Sequence, residues 1–341
     1  MKGAQYAGDG TIEIVELNAT PPGREELQIA VAYCGLCGTD LHIIHGDMDA
    51  RVITPLVFGH EMSGTVAAVG TGVTGWSVGD ALTVMPLVWD GSCSACLAGH
   101  QHICQNLEFV GIDSPGALQQ FWNVPASIGV KLPPELDLRT AALVEPTAVA
   151  VHDVRRSELQ VGDRVVVLGG GPIGVLIASV ARHAGARVMV AEVDEARRRR
   201  IAGLGFEVVD PSSTDIVEHV TTWTEGIGAD VVFEVSGAAA AVRTLTALPK
   251  VRGTIVVVAI HNAHRDIDLQ RVFWRELRLL GARVYQRADF DRAAELLLQG
   301  VIPVDELITG IVPLEETASA MADLGAGRAM KVLVDVAGIA S

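Results

Sequence analysis

The sequence predicts an α/β protein built from two parts, a mostly antiparallel β domain and a doubly wound parallel-sheet domain set into it. Three observations carry this. The periodicity changes near Gly162, from short β-type runs among turns to alternating apolar strands and helical stretches. Charge is unevenly spread: residues 147–285 hold 17 Lys/Arg against 16 Asp/Glu, whereas the remainder holds 9 against 25. All five cysteines, at 34, 37, 93, 96 and 104, lie in the first third of the 341 residues.

In the first part, β-type runs fall at Thr11–Val15, Leu27–Val31, Ser63–Val69 and Ala81–Val84, punctuated by Pro21-Pro22-Gly23, Gly70-Thr71-Gly72 and Val78-Gly79-Asp80. From Gly162 the strands are Val165–Leu168, Val188–Ala191, Glu207–Val209, Val231–Phe233, Ile255–Ala259 and Leu277–Val284. Helical stretches at 173–184, 195–204, 213–222 and 238–247 alternate with them, which predicts a parallel sheet. A further helical stretch, Phe290–Gln299, leads to a last strand at Lys331–Val336.

Composition excludes several classes. Half the residues (49%) are apolar and 20% charged, which argues against disorder. A net charge of −15 argues against nucleic acid and anionic membrane as partners. The apolar run Val165–Ala181 is too short and too glycine-rich to span a bilayer, and Met1-Lys2-Gly3-Ala4 opens no secretory leader. A cytoplasmic location is expected, and an odd number of clustered cysteines there points to metal ligation rather than disulfides.

The segment Val165–Gly174 is a strand, a glycine turn and a helix start. Gly169 permits the turn, Gly171 lets the backbone approach a pyrophosphate, and Gly174 lets the helix pack on the strand. The helix start at Pro172-Ile173 offers free N–H groups to phosphate. Glu192, ending the next strand, suits the ribose hydroxyls of NAD and would repel the extra phosphate of NADP. Within Arg197–Arg200, Arg197 is the one candidate for the same ribose edge, and the others read as a solvated face.

Two stretches concentrate metal-ligand types: Cys34-Gly35-Leu36-Cys37-Gly38-Thr39-Asp40-Leu41-His42 with Gly59-His60-Glu61, and Asp90-x2-Cys93-x2-Cys96-x7-Cys104. One carboxylate and three thiolates on one loop suit a closed structural zinc site, unless the three thiols merely line the loop.

These motifs resemble the zinc-dependent medium-chain alcohol dehydrogenases over nearly the whole chain. Leu143-Val144-Glu145-Pro146 followed by Ala148-Val149-Ala150-Val151-His152 is similar to the butanediol, polyol and threonine dehydrogenase branch. The resemblance implies a GroES-like β-rich catalytic domain (1–146 and 286–341) and an inserted Rossmann domain (147–285). It implies that Cys37, His60 and Glu145 bind a catalytic zinc, with Glu61 as exchangeable ligand or neighbour and Asp40 orienting the histidine. It implies structural zinc on Asp90, Cys93, Cys96 and Cys104, where Asp90 departs from the family's four cysteines. Cys34 has no ligand counterpart and reads as a buried thiol.

The implied reaction moves hydride between NAD and a secondary alcohol, vicinal diol or polyol, reversibly with the ketone. Thr39 takes the hydroxyl proton and His42 passes it to solvent. Candidate pocket residues, placed only by neighbourhood, are His45, Phe58, Leu87, Trp89 and Trp274. The branch implies a homo-oligomer, tetramer or dimer, with Leu277–Val284 a candidate interface edge. Two rivals are a zinc-free quinone or alkene reductase, which lacks the Cys, His, Glu set, and a non-catalytic NAD-binding redox sensor, which has no use for a proton path.

Overall fold

A computed structural model describes residues 1–338. The chain divides into two compact units: Met1–Pro146 with Gln286–Gly300 and the chain from Val304 onward, and Thr147–Tyr285 with Val301–Pro303. Among the described residues no helix is long and apolar enough to cross a membrane.

The first unit is organised around the strand Glu26–Gly35. Its early residues alternate buried and half-buried, and its last five are all buried, because neighbours cover it from both edges. Glu61–Val69 pairs with one edge; Phe121–Pro125 and Lys331–Asp335 share the other. Beyond these lie Ala81–Val84 and Gly129–Lys131 on one flank and Ile308–Pro313 on the other. Pairing is antiparallel except between Lys331–Asp335 and Ile308–Pro313. The register sets Gly35 opposite Glu61 and Leu333 opposite Gly35. Three strand ends therefore converge where Cys37, His60 and Lys331 leave the sheet.

The second unit holds a six-stranded parallel sheet in the order Glu207–Val209, Arg187–Ala191, Arg164–Leu168, Ala229–Glu234, Pro249–Val257, Arg278–Gly281. Its central strands Arg164–Leu168, Arg187–Ala191 and Ala229–Glu234 carry buried apolar runs because both faces are covered, whereas the edge strand Arg278–Gly281 is largely exposed. Val166, Met189, Val232 and Ile255 pack with Ile216, Val220, Trp223, Leu245 and Leu248.

Some boundaries differ from expectation. The helix expected at 213–222 begins at Ile216, because Asp215 caps it by accepting from the Val217 and Glu218 N–H groups. The stretch 238–247 is helical only over Ala239–Thr244 and tightens to a 3-10 turn before Pro249 opens the next strand. The last parallel strand is Arg278–Gly281, shorter than Leu277–Val284, and forms the sheet edge.

Candidate active site

Cys37 caps the short helix Gly38–Ile44. Its Sγ accepts from the Thr39 N–H at 3.5 Å, while Asp40 Oδ2 accepts from the Cys37 N–H at 2.9 Å, a reciprocal capping box. The sulfur is thereby fixed at the end of Glu26–Gly35. Glu61 opens the adjacent strand and His60 immediately precedes it. Gly59 before them has φ +96°, and a Cβ there would lie 2.8 Å from the Cys34 Sγ, so only glycine lets this corner close.

One ligand atom each from Cys37, His60 and Glu61 lie within 4.8 Å of one another. Both His60 and Glu61 are buried. Phe109 packs edge-on to the His60 ring at 5.2 Å, and Asp40 Oδ1 stands 3.6 Å from His60 Nδ1. Both of those atoms are buried without a hydrogen-bond partner among the described residues. Burial alone would lower the His60 pKa; the Cys37 sulfur and the Asp40 charge override it and raise it to about 10. Binding a metal there must expel that proton. Sulfur, imidazole and carboxylate together fit zinc.

Glu145, expected as a ligand, is buried at the start of the helix Val144–Ser157. It is close enough for its charge to act on His60 and Lys331, but its carboxylate lies outside the tight three-residue group. Glu61 has a partner the sequence did not suggest. Buried Lys331 donates to both Glu61 oxygens at 2.8 and 2.6 Å and to the Leu36 carbonyl at 3.0 Å. Cys34 is fully buried and its thiol pushed well up, chiefly by that burial, as expected of a thiol without ligand duty.

Thr39 is half-buried beside Cys37. His42 lies one turn along, one-third exposed, with Nδ1 2.7 Å from Asp47 Oδ2. The pocket candidates fare unevenly. Phe58 and Leu87 are fully buried. His45 and Trp89 are exposed, and Trp274, in the second unit, is 73% exposed.

Asp90, Cys93, Cys96 and Cys104 bring a ligand atom each within 4.8 Å of the others. Asp90 Oδ1 accepts from the Ser92 and Cys93 N–H groups, and Oδ2 from the Asn106 amide. Those N–H groups hold its carboxyl well below the usual range. Burial and the neighbouring thiols push Cys96 up to about 12, while the Gln105 and Cys96 N–H groups lower Cys93.

In the second unit, Gly169 has φ +110°, and a Cβ on it would lie 3.0 Å from the Ser236 nitrogen. A Cβ on Gly174 would sit 1.9 Å from the Gly169 carbonyl oxygen, so the helix Pro172–His183 can lie this close only with glycine there. Gly171 is different: nothing lies within 4 Å of its would-be Cβ, leaving open space before the helix N-terminus. That space fits a pyrophosphate. Glu192 is buried, taking the Gly170 N–H on one oxygen and the Asp194 N–H on the other, both at 2.8 Å. Arg197 is half-buried, and its Nε has no hydrogen-bond partner among the described residues. Its neighbour Arg198, expected to be solvated, instead folds back onto the Glu192 and Val193 carbonyls and pairs with Asp210 at 3.1 Å.

Residues 23–134 match the alcohol dehydrogenase GroES-like domain and residues 172–299 the zinc-binding dehydrogenase family. A 2-dehydro-3-deoxy-L-galactonate 5-dehydrogenase of Pseudoalteromonas atlantica is 50% identical over 98% of both chains. A Sinorhizobium meliloti 1021 protein, assigned as a zinc-binding dehydrogenase and solved bound to NADP, superimposes with TM-score 0.93 at 33% identity over 98% of each chain. The 2R,3R-butanediol dehydrogenase of Bacillus subtilis gives 0.90 at 30% identity, covering 98% of this chain and 99% of its own.

Proposed function

The chain belongs to the zinc-binding dehydrogenase family, and on that premise we propose that it oxidises one secondary hydroxyl of a polyhydroxylated small molecule, reversibly, with NAD as acceptor. The observation that carries this is the convergence of Cys37, His60 and Glu61 within 4.8 Å, a donor set of sulfur, nitrogen and oxygen beside a threonine and a half-exposed histidine. It also disfavours the zinc-free reductase, which needs no such ligands. The substrate class draws on the 50% identical relative, which by its name acts on position 5 of a dehydro-deoxy sugar acid. Polyols, vicinal diols and open-chain sugar acids are thus the class to try first.

Cys37 and His60 would hold the zinc, with Glu145 or Glu61 as third ligand. Bound zinc supplies a Lewis acid that makes a hydroxyl acidic near neutral pH, and NAD accepts the hydride. Everything else falls to the chain's own groups. Asp40, buried beside His60 Nδ1, would orient the imidazole and leave Nε2 free to serve as the zinc ligand. Thr39 Oγ1 takes the hydroxyl proton of the substrate and hands it to His42, whose Nδ1 is anchored by Asp47 and whose ring reaches solvent. Glu192 receives the adenosine ribose hydroxyls on its carboxylate. Its charge favours NAD over NADP, and Arg197 lies along the same edge.

Zinc on Asp90, Cys93, Cys96 and Cys104 serves folding of the lobe rather than turnover. A cytoplasmic homo-oligomer, dimer or tetramer, completes the proposal. The edge strand Arg278–Gly281 and exposed Leu269, Phe273 and Trp274 support association. Incubating the zinc-loaded protein with a panel of polyols, diols and sugar acids and following NADH formation tests the reading. No NADH with any of them, under conditions where zinc and NAD are bound, would refute it.

A further inference from the structure

One pair in the second unit, buried Glu234 and half-buried His261, has no part in the site above. Glu234 ends the strand Ala229–Glu234 and is completely buried. Its Oε1 accepts from the Ser236 hydroxyl at 2.8 Å and the Gly237 N–H at 2.9 Å, and its Oε2 stands 2.9 Å from His261 Nε2. The other ring nitrogen of His261, Nδ1, is sealed from solvent and has no hydrogen-bond partner among the described residues. A buried polar atom left unpaired is costly and calls for an occupant.

The sheet register says where this pair sits. Leu168 is level with Ala191 on one side and with Glu234 on the other, and Glu234 is level with Val257. The glycine turn follows Leu168 and Glu192 follows Ala191, so Glu234 lies across the turn from Glu192. Ser236, which the same carboxylate holds, packs directly on Gly169. A dinucleotide crosses the carboxyl ends of such a sheet with its pyrophosphate at the first turn. With adenosine at Glu192, its other half must run over the ends of Ala229–Glu234 and Pro249–Val257.

Resting on the dinucleotide reading above, we propose that His261, oriented by Glu234, binds the nicotinamide-riboside half of NAD through Nδ1. Glu234 already accepts from the Ser236 hydroxyl and the Gly237 N–H, and with its carboxylate as acceptor Nε2 donates to Oε2. In the neutral ring Nδ1 is then an acceptor. Its partner must be a donor, which the nicotinamide ribose hydroxyls and carboxamide N–H provide and the phosphates do not. His261 is a cofactor-binding residue rather than a proton carrier.

The test compares NADH with AMP, which carries only the adenosine half, by calorimetry on the zinc-loaded protein. His261→Ala should weaken NADH binding roughly five- to tenfold, the loss of one net hydrogen bond, and leave AMP binding unchanged. His261→Asn, which restores an acceptor, should recover part of the loss. Glu234→Gln should weaken NADH alone, to a smaller extent, by loosening the ring. Wild-type NADH affinity in His261→Ala, or an equal loss of NADH and AMP affinity, would overturn the proposal. Failure of the wild-type protein to bind NADH at all would overturn the dinucleotide reading, and this inference with it.

Discussion

Replacing Lys331 with Met should destabilise the metal-free protein far more than the zinc-loaded one. Methionine keeps nearly the volume of the lysine stem, so the change removes a charge and its N–H donors rather than packing. Lys331 and Glu61 side chains are 4% and 1% exposed, and the ammonium contacts both carboxylate oxygens. Removing one partner of a buried pair leaves an uncompensated charge, which costs about 3–5 kcal/mol. Burial opposes the lysine's charge, but Glu61 and then Cys37 override it and the Lys331 pKa rises. A raised folded value means the pair's stabilisation is complete below the unfolded 10.5 and fades only as pH climbs through the folded value. The cost should therefore be flat across neutral pH. If Glu61 turns to the zinc when Lys331 is gone, the metal replaces the ammonium and the cost shrinks. Urea unfolding of the chelated and zinc-loaded forms reads both numbers. A loss below about 1 kcal/mol without metal, the size of an exposed pair, would refute the buried-charge argument. An equal loss in both forms would refute Glu61 as a metal neighbour able to exchange.

Glu192→Gln should weaken NAD binding and narrow the preference over NADP, read from the two dissociation constants; a wild-type preference for NADP would refute the ribose assignment. In chelated protein, Cys93 should react with a thiol reagent before Cys96, because backbone N–H groups stabilise its thiolate while burial raises the Cys96 pKa to about 12; peptide mapping after brief labelling checks the order. The Asp90 carboxyl is held below its usual range by N–H donors, so its contribution is present above the ordinary carboxylate value and lost as pH falls through the lower folded one. Asp90→Asn should accordingly release zinc from the lobe more readily at neutral pH, measured with a colorimetric chelator. Thr39→Ala should retain zinc and lower kcat about 10²-fold, and His42→Ala should do less because water reaches its position.

Local chemistry made most of the fold legible. The glycine turn, the apolar parallel strands and the Cys37 and His60 motifs each announce themselves within ten residues. Where the outcome depended on distant residues, the sequence was silent. Lys331 reaches Glu61 across 270 positions; its one signal was a lysine opening a buried apolar strand, which a buried anion must answer. Arg198 and Arg197 are adjacent on one helix, and only the direction of the helix face decides which folds back on the carbonyls after Glu192. Glu145 lies outside the tight three-residue cluster, being carried by the helix Val144–Ser157 rather than by the converging strand ends.

The most direct measurement is NAD reduction by the best alcohol of the panel in wild-type and Cys37→Ser protein, with the zinc content of each sample determined alongside. Wild-type protein should lose activity on chelation and regain it with zinc. Cys37→Ser should retain NADH binding and the lobe metal while losing turnover. Undiminished turnover in Cys37→Ser, or in wild-type protein stripped of all zinc, would contradict the metal centre as the seat of the reaction.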